Sequence, residues 1–404
     1  MAFSIASPTT KLNAMLSLRL AFRNLMGAGL RTWLNVFVLS VAFVVIVFYN
    51  GMLDGWNQQA KADTRAWETG SGQLWHAQYN PFDAYCLEDA HALLPPAYEQ
   101  SIDEGDITPV LITQATAYRD NRMQNILLKG IAPEQIVVKL PTHLLDDAHE
   151  EMPHVIIGKR MAAASHLTVH DTLLIRWRDR HGTFDACQVI VAGIFGSNVP
   201  TIDNGQMWMN LTRLQQMTGL SGHATLMIAG PGYQHTPQPG WIFKDDTELL
   251  KEFSDIIRAK KWSSSVIYGL LLAIALLAIF DTQVLSIFRR QKEIGTYIAL
   301  GLTRGHVVGL FTLEGSAQSL LAIIVGTLWG LPLLWALHVN GIAMPGAADE
   351  MGLTIGEKIV PVYSFAMVAA SIVLVTVSAT LVSYLPTRKI LHLHPTDALK
   401  GKLI

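Results

Sequence analysis

Charge is scarce in this chain of 404 residues. Lys, Arg, Asp and Glu together make up 15% of it, where ordinary soluble domains carry about 25%. Half of the residues are apolar and the mean hydropathy is +0.30. That balance excludes a disordered chain and a coiled coil. Cysteine is nearly missing: Cys86 and Cys187 are the full complement, which excludes a small disulfide scaffold. An oxidising compartment would permit a bridge between them. Their spacing does not reveal one, and two buried free thiols are the preferred reading.

Several catalytic signatures are also missing. There is no G-x-x-x-x-G-K-[ST], so the chain holds no nucleotide through a P-loop. G-x-S-x-G and H-E-x-x-H are absent too. His149-Glu150 followed by His154 comes near a zinc-protease motif, but two ligands on one helix face need i, i+4 spacing, and Pro153 breaks any helix there. No residue is therefore expected to catalyse a reaction, bind a cofactor or hold a metal.

Long uncharged runs are what the sequence has in plenty. Leu34 to Leu53 carries no charge and, at 1.5 Å per residue, spans roughly the 30 Å hydrocarbon core of a bilayer. Val266 to Phe288 is broken only by Asp281. Val307 to Leu337 holds Glu314 near its start and Pro332 near its end. Val362 to Leu385 is uncharged. Trp33, Trp56, Trp262, Trp335, Tyr363 and Tyr384 fall near the span ends, where amphipathic rings prefer the interface.

Basic residues set the topology. Lys11, Arg19, Arg23 and Arg31 precede the first run with no acid among them. Arg289, Arg290, Lys292 and Arg304 follow the second, against Glu293. Arg388, Lys389, Lys400 and Lys402 follow the fourth, against Asp397. These regions are assigned to the cytoplasm. Residues 54–262 hold 17 basic and 25 acidic residues, a net of −8, and are assigned outside, as is the short loop with Asp349, Glu350, Glu357 and Lys358. The first run is longer than a signal h-region and starts later, so it reads as an uncleaved anchor.

The resulting fold class is an α-helical membrane protein with four transmembrane helices and a large α+β extracytoplasmic domain inserted between helices one and two. Residues 1–33 form a cytoplasmic amphipathic helix, with Leu18, Ala21, Phe22 and Leu25 opposite Arg19 and Arg23. Span one is 34–53 and the external domain, on helical stalks, is 54–262. Span two is 263–288, a cytoplasmic loop 289–306, span three 307–337, an outer loop 338–361, span four 362–385 and a cytoplasmic tail 386–404.

Inside the external domain, His154–Ile157 reads as a strand followed by a helix. Asp171–Trp177 alternates as a strand, Cys187–Phe195 is a third, and Gln206–Leu220 is a short strand, then a helix, with Gly219 near its end. Pro231–Gly240 is a loop rich in Pro and Gly. Lys244–Trp262 has the pattern of an amphipathic helix feeding span two.

Residues 289–315, RRQKEIGTYIALGLTRGHVVGLFTLEG, form a short basic segment of helical pattern with Ile294, Tyr297 and Ile298 on one face. On pattern alone it either transmits force from a cytosolic partner or only sets topology. Its residues resemble a known family, the permease subunits of MacB-like and Lol-like ABC transporters, of the FtsX type. That family's loop carries a basic residue, E-I-G, A-x-G and then E-G. Here they are Arg290, Glu293-Ile294-Gly295, Ala299-Leu300-Gly301 and Glu314-Gly315. Arg23, Asn24, Leu25, Arg31 and Thr32 resemble the family's approach to span one. Pro386, Arg388, Pro395, Ala398 and Leu399 resemble its ending. Between Ile157 and Leu220 the likeness is weaker, and His170 stands where the family has a turn glycine.

The resemblance implies two P-loop ATPase subunits as partners, with ATP and Mg on those chains and no cofactor on this one. It also implies a second copy of this chain or a homologous permease. The work would be mechanotransmission in a bacterial inner membrane, with both termini cytoplasmic and the large domain periplasmic. Arg289, Arg290, Glu293, Ile294, Gly295, Ala299, Gly301 and Arg304 are the expected ATPase-coupling residues. Glu314 is expected to snorkel or to pair with Arg289 or Arg290. Asp281 lies deeper and is read as a packing or dimer-specifying group before a substrate contact. By layout the Lol-type, lipoprotein-releasing permeases fit best, with a lipoprotein as substrate, membrane lipid around the site and a periplasmic chaperone or adaptor as a further partner. Val41, Val44, Val45 and Phe48, with Ile267, Leu270 and Leu271, are candidates to line a cleft for acyl chains, although helix packing is the simpler role for each. Export of peptides or small molecules in the MacB manner, and FtsX-like regulation of cell-wall hydrolases, are the alternatives. No nucleic acid partner is expected.

Overall fold

The structure, a computed structural model, describes residues 29–119, 122–147, 150–197, 200–343 and 358–392. Residues 1–28 of the proposed amphipathic N-terminal helix, His149, the acids of the 344–357 loop and the motif residues after 392 lie outside them; residues 29–33 open the first long helix instead. The chain divides into two compact units. One comprises the described residues up to Gly55, Ile257–Gly341 and those from Val360 on; the other comprises Trp56–Ile256 and Ile342–Ile359.

Four helices are long and apolar enough to cross a membrane. They belong to α1 (Gly29–Thr64), α4 (Lys251–Arg289), α6 (Arg304–Asn340) and α7 (Phe365–Thr387). The first is the core of its bundle. Its most apolar stretch is 56% buried, against 22%, 17% and 17% for the other three. Val36, Leu39, Phe43, Ile46 and Val47 of α1 pack with Leu272, Ala275 and Ile279 of α4, Ala322 and Ile323 of α6, and Val375 and Ala379 of α7. In lipid the contacts that matter are close packing and interhelical hydrogen bonds, because the tails are as apolar as leucine. Small residues allow that approach. A Cβ at Gly326 would meet the Phe43 ring at 3.0 Å, and one at Gly330 would meet Val44 Cγ2 at 2.6 Å. The indole of Trp329 donates to Ser40 Oγ at 3.2 Å.

The second unit is rich in sheet. Its strands are β1 (Gly72–His76), β2 (Ala92–Leu93), β3 (Ile107–Arg119), β4 (Arg122–Ile131), β5 (His154–Gly158), β6 (Thr172–Arg178), β7 (Phe184–Phe195), β8 (Gln206–Asn210), β9 (His223–Ala224), β10 (Leu226–Ala229) and β11 (Trp241–Asp245). Nine of them follow the order β11-β1-β10-β3-β4-β8-β5-β7-β6, and β6 returns to pair with β3. Six strands thus close into a ring, which removes the exposed edges of an open sheet. The long strand β3 serves two neighbours along one edge: β10 over Ile107–Val110 and β6 over Ala115–Tyr118. Strand β6 alternates strictly, with Leu173, Ile175 and Trp177 buried in the ring core beside Leu128, Val189 and Met209.

Two short helices plug this sheet. In α2 (Lys159–Ser165) Met161 and Ala162 are buried, and α3 (Leu211–Thr218) buries Leu211 and Leu214. Helix α3 is capped at both ends: Asn210 accepts from Thr212 N, and Gly219 takes the left-handed conformation at φ 73°. His170 also has positive φ, at 73°, the conformation that favours glycine and that His adopts more readily than most residues. Asp171 next to it accepts from Arg119 Nη1 at 2.7 Å and from Thr168 N at 2.7 Å. These bonds hold its carboxyl at about 2.

Two expectations are corrected. Lys244 and Asp245 are strand, not helix. Asp245 is the extended N-cap of a four-residue turn of helix, Asp246–Leu249, and the long helix starts only at Lys251. The two cysteines are free, as expected, but only half-buried. In Cys187 burial raises the thiol to about 11, which keeps it protonated and unreactive.

Two measurements test the packing. Gly158 ends β5 against Asp203: an added Cβ would lie 2.5 Å from the Asp203 Cα and closer still to its oxygens. Gly158→Ala should cost about 1–3 kcal/mol by overpacking, a drop of several degrees in the melting of the full chain; an unchanged melt would show that the Asp203 segment yields. Asp171 contributes stability that is fully present above the ordinary carboxyl range and is lost as pH falls toward about 2. Asp171→Asn should therefore flatten the acid-unfolding curve between about pH 4 and 2, and a parallel curve would remove this role.

Candidate functional site

The sequence signature falls on a tight helix–turn–helix. Helix α4 ends at Arg289, α5 runs Gln291–Ala299, and α6 starts at Arg304. Arg290 is the joint between the first two. Its N–H still donates to Ser286 O at 3.0 Å, while its own carbonyl accepts from Ile294 N at 3.0 Å. The turn after α5 is closed by Gly301 N to Ile298 O and Leu302 N to Tyr297 O, both 3.1 Å, and Gly301 has φ 98°. That value explains the glycine of the A-x-G motif, since a Cβ is strained there. Thr303 caps α6: its side chain accepts from His306 N.

The Arg290 guanidinium binds this assembly together. Its Nη1 donates to both carboxylate oxygens of Glu314, at 3.1 and 2.9 Å, and its Nε donates to Glu293 Oε2 at 2.7 Å. The guanidinium lies 4.8 Å from the centroid of the Phe311 ring, within cation–π range. Arg290 and Glu314 side chains are 20% and 14% exposed, and Glu293 is 55% exposed. The inner pair is therefore largely shielded from solvent. Charge-assisted contacts from one Arg to two carboxylates are the strong kind of hydrogen bond.

Below the charged layer lies an apolar one. Ile294 of α5 packs with Ile287, Val307, Val308, Phe311 and Ile390. Arg304 Nη1 donates to Leu391 O at 2.9 Å and ties the start of α6 to the segment after α7. Deeper in the bundle, Gly315 lets α6 touch its neighbours: a Cβ there would collide with Ser383 Oγ and lie 2.5 Å from Gln283 Nε2. Thr312 and Thr387 hydroxyls are 3.0 Å apart, and Asn35 Nδ2 donates to Thr282 Oγ1 at 2.9 Å and to Ala278 O at 3.1 Å. Polar contacts thus join every long helix to another near the end of the bundle that carries α5.

The named residues sort into two faces. Arg290, Ile294, Gly295, Arg304 and Glu314 face the chain itself. Arg289, Glu293, Ala299 and Gly301 are exposed. Sequence reading missed the residues that stand out most on the exposed face: Leu300 is 78% and Leu302 44% exposed, two leucines at the tip of the turn. Asp281 is on the exposed face of α4 and has no ion-pair or hydrogen-bond partner among the described residues. Of the cleft candidates, Val44 is buried against α6; Val41, Val45, Phe48 and Leu271 are half-buried; Ile267 and Leu270 are 66% and 63% exposed.

Four membrane-length helices with a short amphipathic helix clamped between the second and third define a polytopic membrane protein. Within that class, residues 265–395 match the FtsX-like permease C-terminal family. It is similar to the lipoprotein-releasing system transmembrane protein LolC of two Xylella fastidiosa strains, with 20% identity over 238 residues, covering 54% of this chain and 58% of theirs. It is also similar to the macrolide export ATP-binding/permease protein MacB of Rhodopirellula baltica, with 27% identity over 172 residues, 41% of this chain and 22% of that one. The chain spans little more than half the length of the LolC proteins it matches.

The ion pair makes a testable demand. Glu314→Gln leaves a half-buried guanidinium short of one counter-charge and should cost about 2–4 kcal/mol. Replacing both partners, Arg290→Met with Glu314→Leu, should cost less than the single change. Thermal unfolding of the purified chain reads both, and a double variant less stable than the single one would show that the pair is a net stabiliser.

Proposed function

We propose that the chain is the permease subunit of an ABC transporter that works by mechanotransmission, with ATP and Mg bound on two separate P-loop ATPase subunits. The observation that carries this reading is the geometry of α5. Its base is fixed by Arg290, Glu314 and Ile294, while its tip presents Leu300 and Leu302 to whatever lies beyond. A rigid lever with an exposed apolar tip fits the task of receiving a push from a docked subunit. The family match and the likeness to LolC and MacB support the same reading. The exposed Asp281 supports a second permease beside α4, identical or homologous, because an acid facing lipid costs about 2.5–3.5 kcal/mol at mid-helix.

Lipoprotein extraction from the outer leaflet of a bacterial inner membrane is the substrate reading preferred here, resting on the likeness to LolC. In it both termini are cytoplasmic, the sheet-rich unit is periplasmic and meets a chaperone or adaptor, and the exposed Ile267 and Leu270 contact acyl chains. The likeness to MacB favours export of a small periplasmic molecule as the second reading.

The test is co-purification of the tagged full chain from mild detergent without ATP, followed by mass spectrometry. A soluble P-loop ATPase together with triacylated lipoproteins is expected. Leu300→Glu should lose the ATPase at least tenfold while the melting temperature holds. No ATPase with the unaltered chain, under conditions that keep a control transporter whole, would end the permease reading; an ATPase with an adaptor in place of lipoproteins would move the substrate to the second reading.

A further inference from the structure

His91 and His223 meet with their Nδ1 atoms 3.0 Å apart. Both rings are half-buried. Their centroids are 5.1 Å apart with planes at 66°. That separation is close to the nitrogen gap plus the two centroid-to-nitrogen radii, so the rings meet nearly head-on. Head-on rings share a proton along the line between them. A chelated metal would instead need both lone pairs to converge on a third point.

The pair sits where a strap is fastened to the ring of strands. The strap follows β1 and ends in β2, which pairs only with the two-residue β9, Ala92 to Ala224 and Leu93 to His223. Leu94 N adds one bond to Gly222 O at 3.0 Å. The other side of the fastening is well held: Gln215 Nε2 of α3 donates to His223 O at 2.9 Å. A two-residue ribbon is weak on its own; Leu87 and Ala90 of the strap are buried and Glu88 pairs with Arg178, and the imidazole pair adds the one contact at the ribbon itself that titrates near neutrality.

We propose that His91 and His223 form an acid-released clasp, which holds the strap at neutral pH and frees it when the pair takes up protons. In the neutral pair one Nδ1–H donates and the other Nδ1 accepts. One added proton can sit on an outer nitrogen and leave that bond intact. A second must go onto the accepting Nδ1, so that two N–H groups and two positive charges face each other. The surroundings sharpen this. On the strap side, Asp89 and the Glu88 carbonyl favour a proton on His91, while His76, edge-on to Trp241, opposes it. On the other side, Arg180 opposes a proton on His223. Arg180 is itself fixed by a bond to Gly219 O at 3.2 Å, and Arg178 pairs with Glu88 at 2.5 Å. Burial lowers the proton affinity of both rings below the ordinary imidazole value. Stability from such groups is fully present above about pH 6.5 and is lost as pH falls below it. The clasp does not depend on the transport reading.

Hydrogen exchange read by mass spectrometry on the full chain in nanodiscs tests it, at pH 7.5, 6.5 and 5.5, with rates corrected for intrinsic chemistry. Peptides covering residues 84–94 should open about tenfold more for each pH unit below about 6.5, one proton's worth of linkage, while β3 and β4 peptides stay protected. His223→Gln keeps a hydrogen-bonding partner for His91 but cannot charge, and should flatten that dependence; His91→Gln should do the same. A strap equally protected at pH 5.5 and 7.5 in the unaltered chain would overturn the clasp. So would a pH profile unchanged in both variants with the β3 and β4 peptides still protected.

Discussion

Much of the membrane unit depends on one guanidinium. Arg290 stands at the joint between two helices, where its N–H and carbonyl still bond Ser286 O and Ile294 N. The chain must turn there without leaving polar groups stranded at the edge of a bilayer. Glu314, one helix further on, supplies the counter-charge with both oxygens, and Phe311 supplies a ring face. With those contacts in place α5 lies against the bundle and Ile294 reaches its core. Without them a basic and an acidic side chain would each have to find water, and the short helix would lose its bearing. The E-G pair of the family signature then has a plain physical meaning: the acid holds the arginine, and the glycine after it lets α6 press against Gln283 and Ser383.

The same logic orders the bundle. Helix α1 is the most buried of the four, and its packing uses glycines of α6 where bulkier residues would keep backbones apart. Threonine, serine and asparagine contacts cluster toward the α5 end, where Asn35–Thr282 and Thr312–Thr387 stitch neighbouring helices. Such bonds are modest one by one, on average about 0.6 kcal/mol and at most about 2. Placed together beneath the charged layer, they tie the ends of α1 and α4 and of α6 and α7 to each other there.

How far this was legible in the sequence differs by element. The four apolar helices follow from composition, because a long uncharged stretch has few other uses. The Arg290–Glu314 contact was one of several options the charges allowed, and the family signature pointed to both residues without saying that they touch. Strand β6 could be read because one face is buried and alternation survives. Strand β3 could not: its first six residues are all buried, with Leu111 in the ring core and Val110 and Ile112 in a second apolar cluster, and burial on both faces erases the period. Leu300 was hidden for a different reason. In a helical pattern an apolar residue counts as core, and its exposure depends on the helix ending at Ala299, a boundary that periodicity does not fix. Val44 could not be told from a cleft residue because α1 is apolar all round, so its pattern does not say which face packs against the other helices.

One contact in the bundle and one in the sheet-rich unit differ in their chemistry. The clamp at α5 pairs a guanidinium with carboxylates, groups whose ordinary titration ranges lie far from neutrality. The pH range in which a cell lives falls between those ordinary ranges. The strap of the sheet-rich unit is fastened by imidazoles, whose ordinary range lies within that window. A fastening of carboxylate and guanidinium was chemically available beside it, since Glu88 and Arg178 already pair there. The contact between two histidines beside that ion pair makes the strap responsive to protons in a way the clamp is not. Where the strap is held by a two-residue ribbon and a surface ion pair, the chain adds a pair of imidazoles that a small change in acidity can undo.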